Sequence, residues 1–155
     1  MNVDIIEDTE LCITELGLKN SSANIINQDF ILISTRVGLG KVCLLKNNLA
    51  INQDLKGILP YKLLKKEYLF FYFKKIKKNL IDNGIGTTVK GVSVDFIKSL
   101  QIPLPKDIKE QEQIAMRLDS VFDKIQKLKE LYNAQLQDYE ELKQSLLTQA
   151  FSGKL

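Results

Sequence analysis

Between Pro105 and Gly153 the chain contains neither proline nor glycine, and this stretch constrains the fold more than any other feature of the 155 residues. Both residue types interrupt helices, so a helix that starts after Pro105 meets no stop signal until Gly153. Asp107 and Glu110 have the spacing of a capping box at its start. Apolar residues then alternate by four and three: Ile114, Leu118, Val121, Ile125, Leu128, Tyr132, then Gln135, then Tyr139, Leu142 and Leu146. Only Gln135 breaks the seam. A period of seven held over more than four heptads predicts a left-handed coiled coil, on a helix of about 45 residues and about 65 Å at 1.5 Å per residue. Phe122, Leu131, Leu136 and Leu147 widen the stripe. A helix this apolar cannot stand alone in water, and the residues before it form too small a domain to cover its length. A second helix must be supplied.

The part before the prolines has a different pattern. Residues 29–35, DFILIST, form an apolar, β-branched run that predicts a buried strand, followed by the loop Thr35-Arg36-Val37-Gly38-Leu39-Gly40-Lys41. Residues 42–45 predict a second strand. Residues 49–51 with Ile58 predict a third, interrupted by the polar Asn52-Gln53-Asp54, and Pro60 closes the stretch. From Leu64 to Ile81 apolar residues recur at helical spacing with lysines on the other face, and Asn83-Gly84 is an ordinary stop. Residues 85–94 return to β-type residues around glycines. A short helix over 94–100 is capped by Ser93, and Ile102-Pro103-Leu104-Pro105 excludes a continuous helix there. The expected fold class is α+β: a small β-rich domain over residues 1–105, then a long helix over 106–155.

Composition removes several function classes. The chain has no histidine, which excludes Ser-His-Asp and Cys-His catalysis and histidine metal sites together. Cys12 and Cys43 sit in apolar runs and read as small core residues, and two cysteines do not make a zinc site. The loop Val37-Gly38-Leu39-Gly40-Lys41 is not a phosphate loop, because Gly40 has no glycine five residues before it and Val42 follows the lysine. No dinucleotide fingerprint occurs, so no cofactor is expected. No apolar run is long enough to span a membrane, and the acidic opening is unlike a secretory signal, so a cytoplasmic protein without membrane attachment is expected.

Charge is unevenly distributed. Residues 1–29 hold one lysine against six acids, residues 30–105 hold thirteen lysines and arginines against four acids, and residues 106–155 hold eight against nine. Seven lysines lie between Lys62 and Lys78, Lys74, Lys75, Lys77 and Lys78 among them, interleaved with Tyr68, Phe70, Phe71, Tyr72 and Phe73. Such a segment is the footprint of phosphate contact, or else a solvated helix face. The loops add Thr35, Arg36, Lys41, Asn52, Gln53, Thr87, Thr88 and Lys90. Arginine reads guanine bidentately, asparagine and glutamine read adenine, and lysine and threonine hold phosphates, so this inventory suits double-stranded DNA. Two structural alternatives stay open: Asn52-Gln53 as a buried amide pair at a strand bulge, and Arg36 paired with a carboxylate that shapes its loop.

Taken in order, three internal segments carry a resemblance: Ile33-Ser34-Thr35-Arg36-Val37-Gly38-Leu39-Gly40-Lys41-Val42, Ala50-Ile51-Asn52-Gln53-Asp54-Leu55-Lys56-Gly57-Ile58 and Gly86-Thr87-Thr88-Val89-Lys90-Gly91-Val92-Ser93. They are followed by Ile102-Pro103-Leu104-Pro105 with Glu110-Gln111-Glu112-Gln113-Ile114, and by Lys143-Gln144-Ser145-Leu146-Leu147 with Ala150-Phe151-Ser152-Gly153-Lys154-Leu155. From about Asn24 to the last residue the sequence resembles the specificity (S) subunits of type I restriction-modification systems, with one target-recognition domain and one spacer helix. Members of that family usually carry two of each. The resemblance therefore implies a half-subunit, a truncated allele or one part of a split gene, with the recognition domain shortened at its N-terminus.

The resemblance further implies a non-catalytic chain that reads one half of a bipartite DNA site. Its helix would pair antiparallel with a second copy or a second half-subunit and set the distance between half-sites. Methyl transfer would belong to modification subunits, and translocation and cleavage to a restriction subunit. The rival expectation is a truncated coiled-coil interaction protein that binds modification subunits without reading DNA.

Overall fold

The computed structural model describes residues 4–153. They divide into two units, with the boundary between Ala115 and Met116. In the first unit the run ILIS forms one of the two inner strands of the larger sheet, and all four residues are buried. This is why Ile31, Leu32 and Ile33 are apolar in succession rather than alternating. The elements in chain order are β1 (Ile5–Ile6), α1 (Glu15–Lys19), β2 (Asn24–Ile26), β3 (Ile31–Ser34), β4 (Val42–Leu45), β5 (Leu49–Ile51), β6 (Leu55–Ile58), α2 (Lys66–Lys75), α3 (Lys77–Asp82), α4 (Val94–Ser99) and α5 (Ile108–Phe151). The larger sheet has the order β1-β4-β3-β6, and β2 and β5 form a separate two-stranded ribbon. β3 is antiparallel to both neighbours, whereas β1 runs parallel to β4. The fold is α+β, a mixed sheet with helices followed by a long C-terminal helix.

The core forms where α2 covers the sheet. Leu69, Phe70, Phe71 and Phe73 of α2 are buried together with Ile31, Leu32, Ile33 and Cys43. A second cluster, Ile26, Leu32, Leu45 and Ile51, joins the ribbon to the larger sheet, with Ile6, Phe30, Leu49 and Leu55 packed against it.

Cys12, expected as a small core residue, is exposed, whereas Cys43 is buried as expected. The elements differ from the sequence expectation at three places. The interrupted third strand is two strands in different sheets: β5 pairs with β2 and β6 with β3. The chain changes sheets at Asn52–Asp54, where the Asp54 N–H donates to Asn52 Oδ1 at 3.1 Å in an Asx turn. The single helix over 64–81 is two, because Ile76 leaves helical geometry at φ −86°, ψ 7°. Residues 85–94 hold only one isolated bridge, between Ile85 and Gly91.

The long helix agrees with its expectation. α5 spans 44 residues, and Asp107 caps it, its Oδ1 accepting from the Lys109 N–H at 2.9 Å. The unit boundary falls inside α5, so its first two turns belong to the first unit. There Gln111, 1% exposed, donates from Nε2 to the Leu63 carbonyl and accepts from the Lys65 N–H, each at 2.9 Å. The proline segment is fixed nearby: the Tyr68 and Tyr72 hydroxyls donate to the carbonyls of Pro103 and Gln101 at 2.6 and 3.1 Å. Burial and the neighbouring Tyr68 raise the pKa of Tyr72 above the ordinary phenol range.

Candidate nucleic-acid interface

Three loops meet at one end of the first unit. The first joins β3 to β4. It turns through Gly38 and Gly40, at φ 76° and 78°, values that L side chains rarely adopt. The second is the Asn52–Asp54 turn, tied to the first because the Thr35 N–H and hydroxyl both donate to the Asp54 carbonyl, at 2.9 and 3.1 Å. The third runs from Gly84 to Gly91, closed by paired bonds between Ile85 and Gly91 at 2.8 and 3.0 Å. It docks on the first through the Val92 N–H, which donates to the Thr35 carbonyl at 2.9 Å. A Cβ on Gly91 would lie 2.9 Å from that carbonyl and 3.0 Å from Arg36 Cγ, so the close approach needs glycine.

These loops gather most of the sequence-derived candidates. Arg36 is half exposed, and its Nη1 lies 3.3 Å from Asp54 Oδ1. The pair lacks hydrogen-bond geometry, since that buried oxygen accepts no hydrogen bond. The carboxylate pairing weighed for Arg36 is therefore present. Asn52 and Gln53 are exposed on their turn and are not a buried amide pair. Thr87, Thr88 and Lys90 are exposed on the third loop. The stem of Lys41 passes Gly38, and Lys77, at the start of α3, packs on Gly40.

Two candidates are placed otherwise. Thr35 is 3% exposed and its hydroxyl is committed to the Asp54 carbonyl, so it braces the loops from inside. Lys74 is turned back onto its own unit, with Nζ 2.6 Å from Asp4 Oδ2 and 5.1 Å from the centre of the Phe70 ring. Lys75 and Lys78 are exposed. Sequence patterns do not single out Asp54, Gly91 or Gln111. Only Gln111 carries a usable signal: it lies three residues before Ile114, at the next position of the heptad seam, where a polar side chain has to find partners.

In the second unit the seam is an uncovered apolar stripe. Val121, Ile125, Leu128, Tyr132, Tyr139, Leu142 and Leu146 are between 43% and 66% exposed, and Leu131, Leu136 and Leu147 lie beside them. Gln135 is exposed within the stripe, and Ile114 and Leu118 at its start are half-buried. Among the described residues no cluster of three or more His, Cys, Asp or Glu side chains gathers, and no helix is long and apolar enough to cross a membrane.

Residues 3–137 match the family model described as the type I restriction modification DNA specificity domain. The chain belongs to this family. It is 34% identical over 113 residues to the type I restriction enzyme MjaIX specificity subunit of Methanocaldococcus jannaschii, a match that covers 72% of this chain and 26% of that protein. It is 28% identical over 137 residues to the putative MjaX specificity subunit of the same organism, covering 88% of this chain and 31% of the relative. Two solved structures share the fold. One is a chain from work on complex assembly and conformational transition of the type I R-M system, with TM-score 0.76, 24% identity, and 84% of this chain and 32% of that chain covered. The other is the HsdS subunit from Thermoanaerobacter tengcongensis, with TM-score 0.65, 23% identity and the same shares covered. The chain thus spans about a quarter to a third of the length of these relatives.

Proposed function

We propose that this chain reads one half of a bipartite DNA site through the three converging loops and pairs through α5 with a second copy or a second half-subunit. The recognition part is taken as residues 1–105 and the spacer helix as 106–155. The observation that carries the reading is the meeting of three loops that are distant in sequence. They bring Arg36, Asn52, Gln53, Thr87, Thr88 and Lys90 to one end of a rigid scaffold, flanked by the basic Lys41 and Lys77. Binding loops held by a fixed core are the usual way a small domain presents base-reading side chains, and lysines beside them supply the sequence-independent attraction to phosphate. Catalysis lies with the modification and restriction subunits that the assembled complex would hold, and the specificity chain docks to them.

Fluorescence anisotropy of the full chain on a random duplex at two ionic strengths tests the DNA contact. The expected result is an affinity that falls steeply with salt; equal binding at both, or none, refutes it. Co-purification with a modification subunit followed by methylation mapping then identifies the half-site.

A further inference from the structure

We propose that Asp54 is a positioning residue for base readout: it holds the Arg36 guanidinium so that the Nε–Nη2 edge is presented to a guanine in the half-site. The inference rests on the DNA-reading proposal above and names the base that this part of the interface takes.

Asp54 is fixed before any ligand arrives. Its N–H donates to Asn52 Oδ1 at 3.1 Å, and its carbonyl accepts from the Thr35 N–H and hydroxyl. Its carboxylate oxygen Oδ1 approaches Arg36 at Nη1, at 3.3 Å. Among the described residues the other guanidinium nitrogens donate to nothing, and the side chain is 53% exposed. The stem of Arg36 passes close to the bare Cα of Gly91, where a Cβ would lie 3.0 Å from its Cγ. An arginine oriented by a carboxylate at one end nitrogen and packed along its stem keeps one planar edge with two parallel N–H donors, the geometry that matches guanine O6 and N7. Holding it there beforehand removes rotamer freedom that would otherwise be lost on binding.

A purely structural role explains less. A half-exposed ion pair without hydrogen-bond geometry adds little stability. The Asp54–Thr35 bonds that brace the loops use the backbone carbonyl, which any residue at position 54 provides. Asp54 is also the single acid in the three loops, where a carboxylate repels phosphate unless a cation covers it. Here Arg36 lies against it: the carboxylate oxygen Oδ1 is buried and the Asp54 side chain is 21% exposed, so the guanidinium is the more accessible of the two groups. Arg36 is the only arginine before residue 117, and the other cations of the first unit are all lysines, which lack the fork.

The experiment selects duplexes from a randomised library with the full-length wild type, Arg36→Ala, Arg36→Lys, Asp54→Asn, Asp54→Glu and the Arg36→Ala/Asp54→Asn double variant, and sequences what each retains. The wild type is expected to select a motif with a guanine that Arg36→Ala, Arg36→Lys and Asp54→Asn all lose while keeping the remaining positions. The double variant should lose no more than Arg36→Ala alone, and Asp54→Glu should recover part of the preference. Replacing that guanine by 7-deazaguanine, which lacks N7, should weaken the wild type on the order of tenfold and leave Arg36→Ala unchanged. Thermal unfolding of each variant separates impaired readout from an impaired fold, and Asp54→Glu, which keeps the charge, stands in if Asp54→Asn unfolds. A wild-type motif that Asp54→Asn leaves intact, or additive losses in the double variant, overturns the positioning role alone. A wild type that selects no motif overturns the DNA-reading proposal together with it.

Discussion

Gln111 shows how one polar side chain can join two parts of a chain. Its amide satisfies the Leu63 carbonyl and the Lys65 N–H at the point where α5 leaves the sheet domain, and the outer Lys65–Glu112 ion pair raises the lysine pKa. Gln111→Ala leaves two backbone groups without partners, each costing roughly 1–3 kcal/mol, so urea unfolding of the full chain should show a loss of about 2–6 kcal/mol. A change within experimental error would mean that water replaces the amide. The two thiols offer a second check. Cys12 is exposed, whereas burial raises the Cys43 pKa from 9.0 to about 11. Maleimide at pH 8 should therefore label Cys12 rapidly and Cys43 only on unfolding, and rapid double labelling would contradict that. Because the fold favours the neutral thiol, the contribution of Cys43 to stability is constant below pH 9 and declines as pH rises from 9 to about 11. At this scale the sequence shows types better than partners. Arg36 stands out as an isolated arginine on a glycine loop, but its choice of Asp54, eighteen residues later, depends on a sheet change that no local pattern records.

The elements differ in legibility for the same reason. β3, α4 and α5 are predictable because their signals are local: a β-branched run, a serine cap, a period of seven. β1 is not, since two residues pair in parallel with a strand 39 positions away. The break between α2 and α3 is hidden because Leu69, Phe73, Ile76 and Leu80 keep helical spacing straight through it. That break divides the lysines. Lys77 packs beside the glycine loop, whereas Lys74 faces Asp4 and the Phe70 ring on its own unit. Replacing Lys75, Lys77 and Lys78 with glutamine should flatten the salt dependence of duplex binding by about 0.9 log-log units for each phosphate that is no longer neutralised. Lys74→Ala should leave that slope unchanged and cost about 1 kcal/mol of stability through the ion pair and the ring contact. An equal change of slope from both sets would place Lys74 at the DNA as well.

At the scale of the whole molecule the apolar stripe of α5 stays exposed among the described residues. Its flanking charges are polarised. Residues 116–129 hold Arg117, Lys124, Lys127 and Lys129 against two acids, and residues 130–147 hold Glu130, Asp138, Glu140 and Glu141 against one lysine. In the proposed pair an antiparallel order sets each basic half against an acidic one, whereas a parallel order sets like against like. Leu128 lies near the middle of the seam, so in either order it meets the partner close to the centre, where desolvation is most complete. Leu128→Asp would bury a charge there at a cost of several kcal/mol, more than a pair of this size can absorb. Sedimentation velocity should find the wild type dimeric at micromolar concentration and Leu128→Asp monomeric. Because Leu128 belongs to the second unit, the urea transition of the sheet domain should stay in place. The monomer should hold a single half-site nearly as well as the wild type while losing the added affinity that two half-sites on one duplex confer. A wild type that sediments as a monomer at high micromolar concentration would end the pairing proposal, and the stripe would then belong to a different chain.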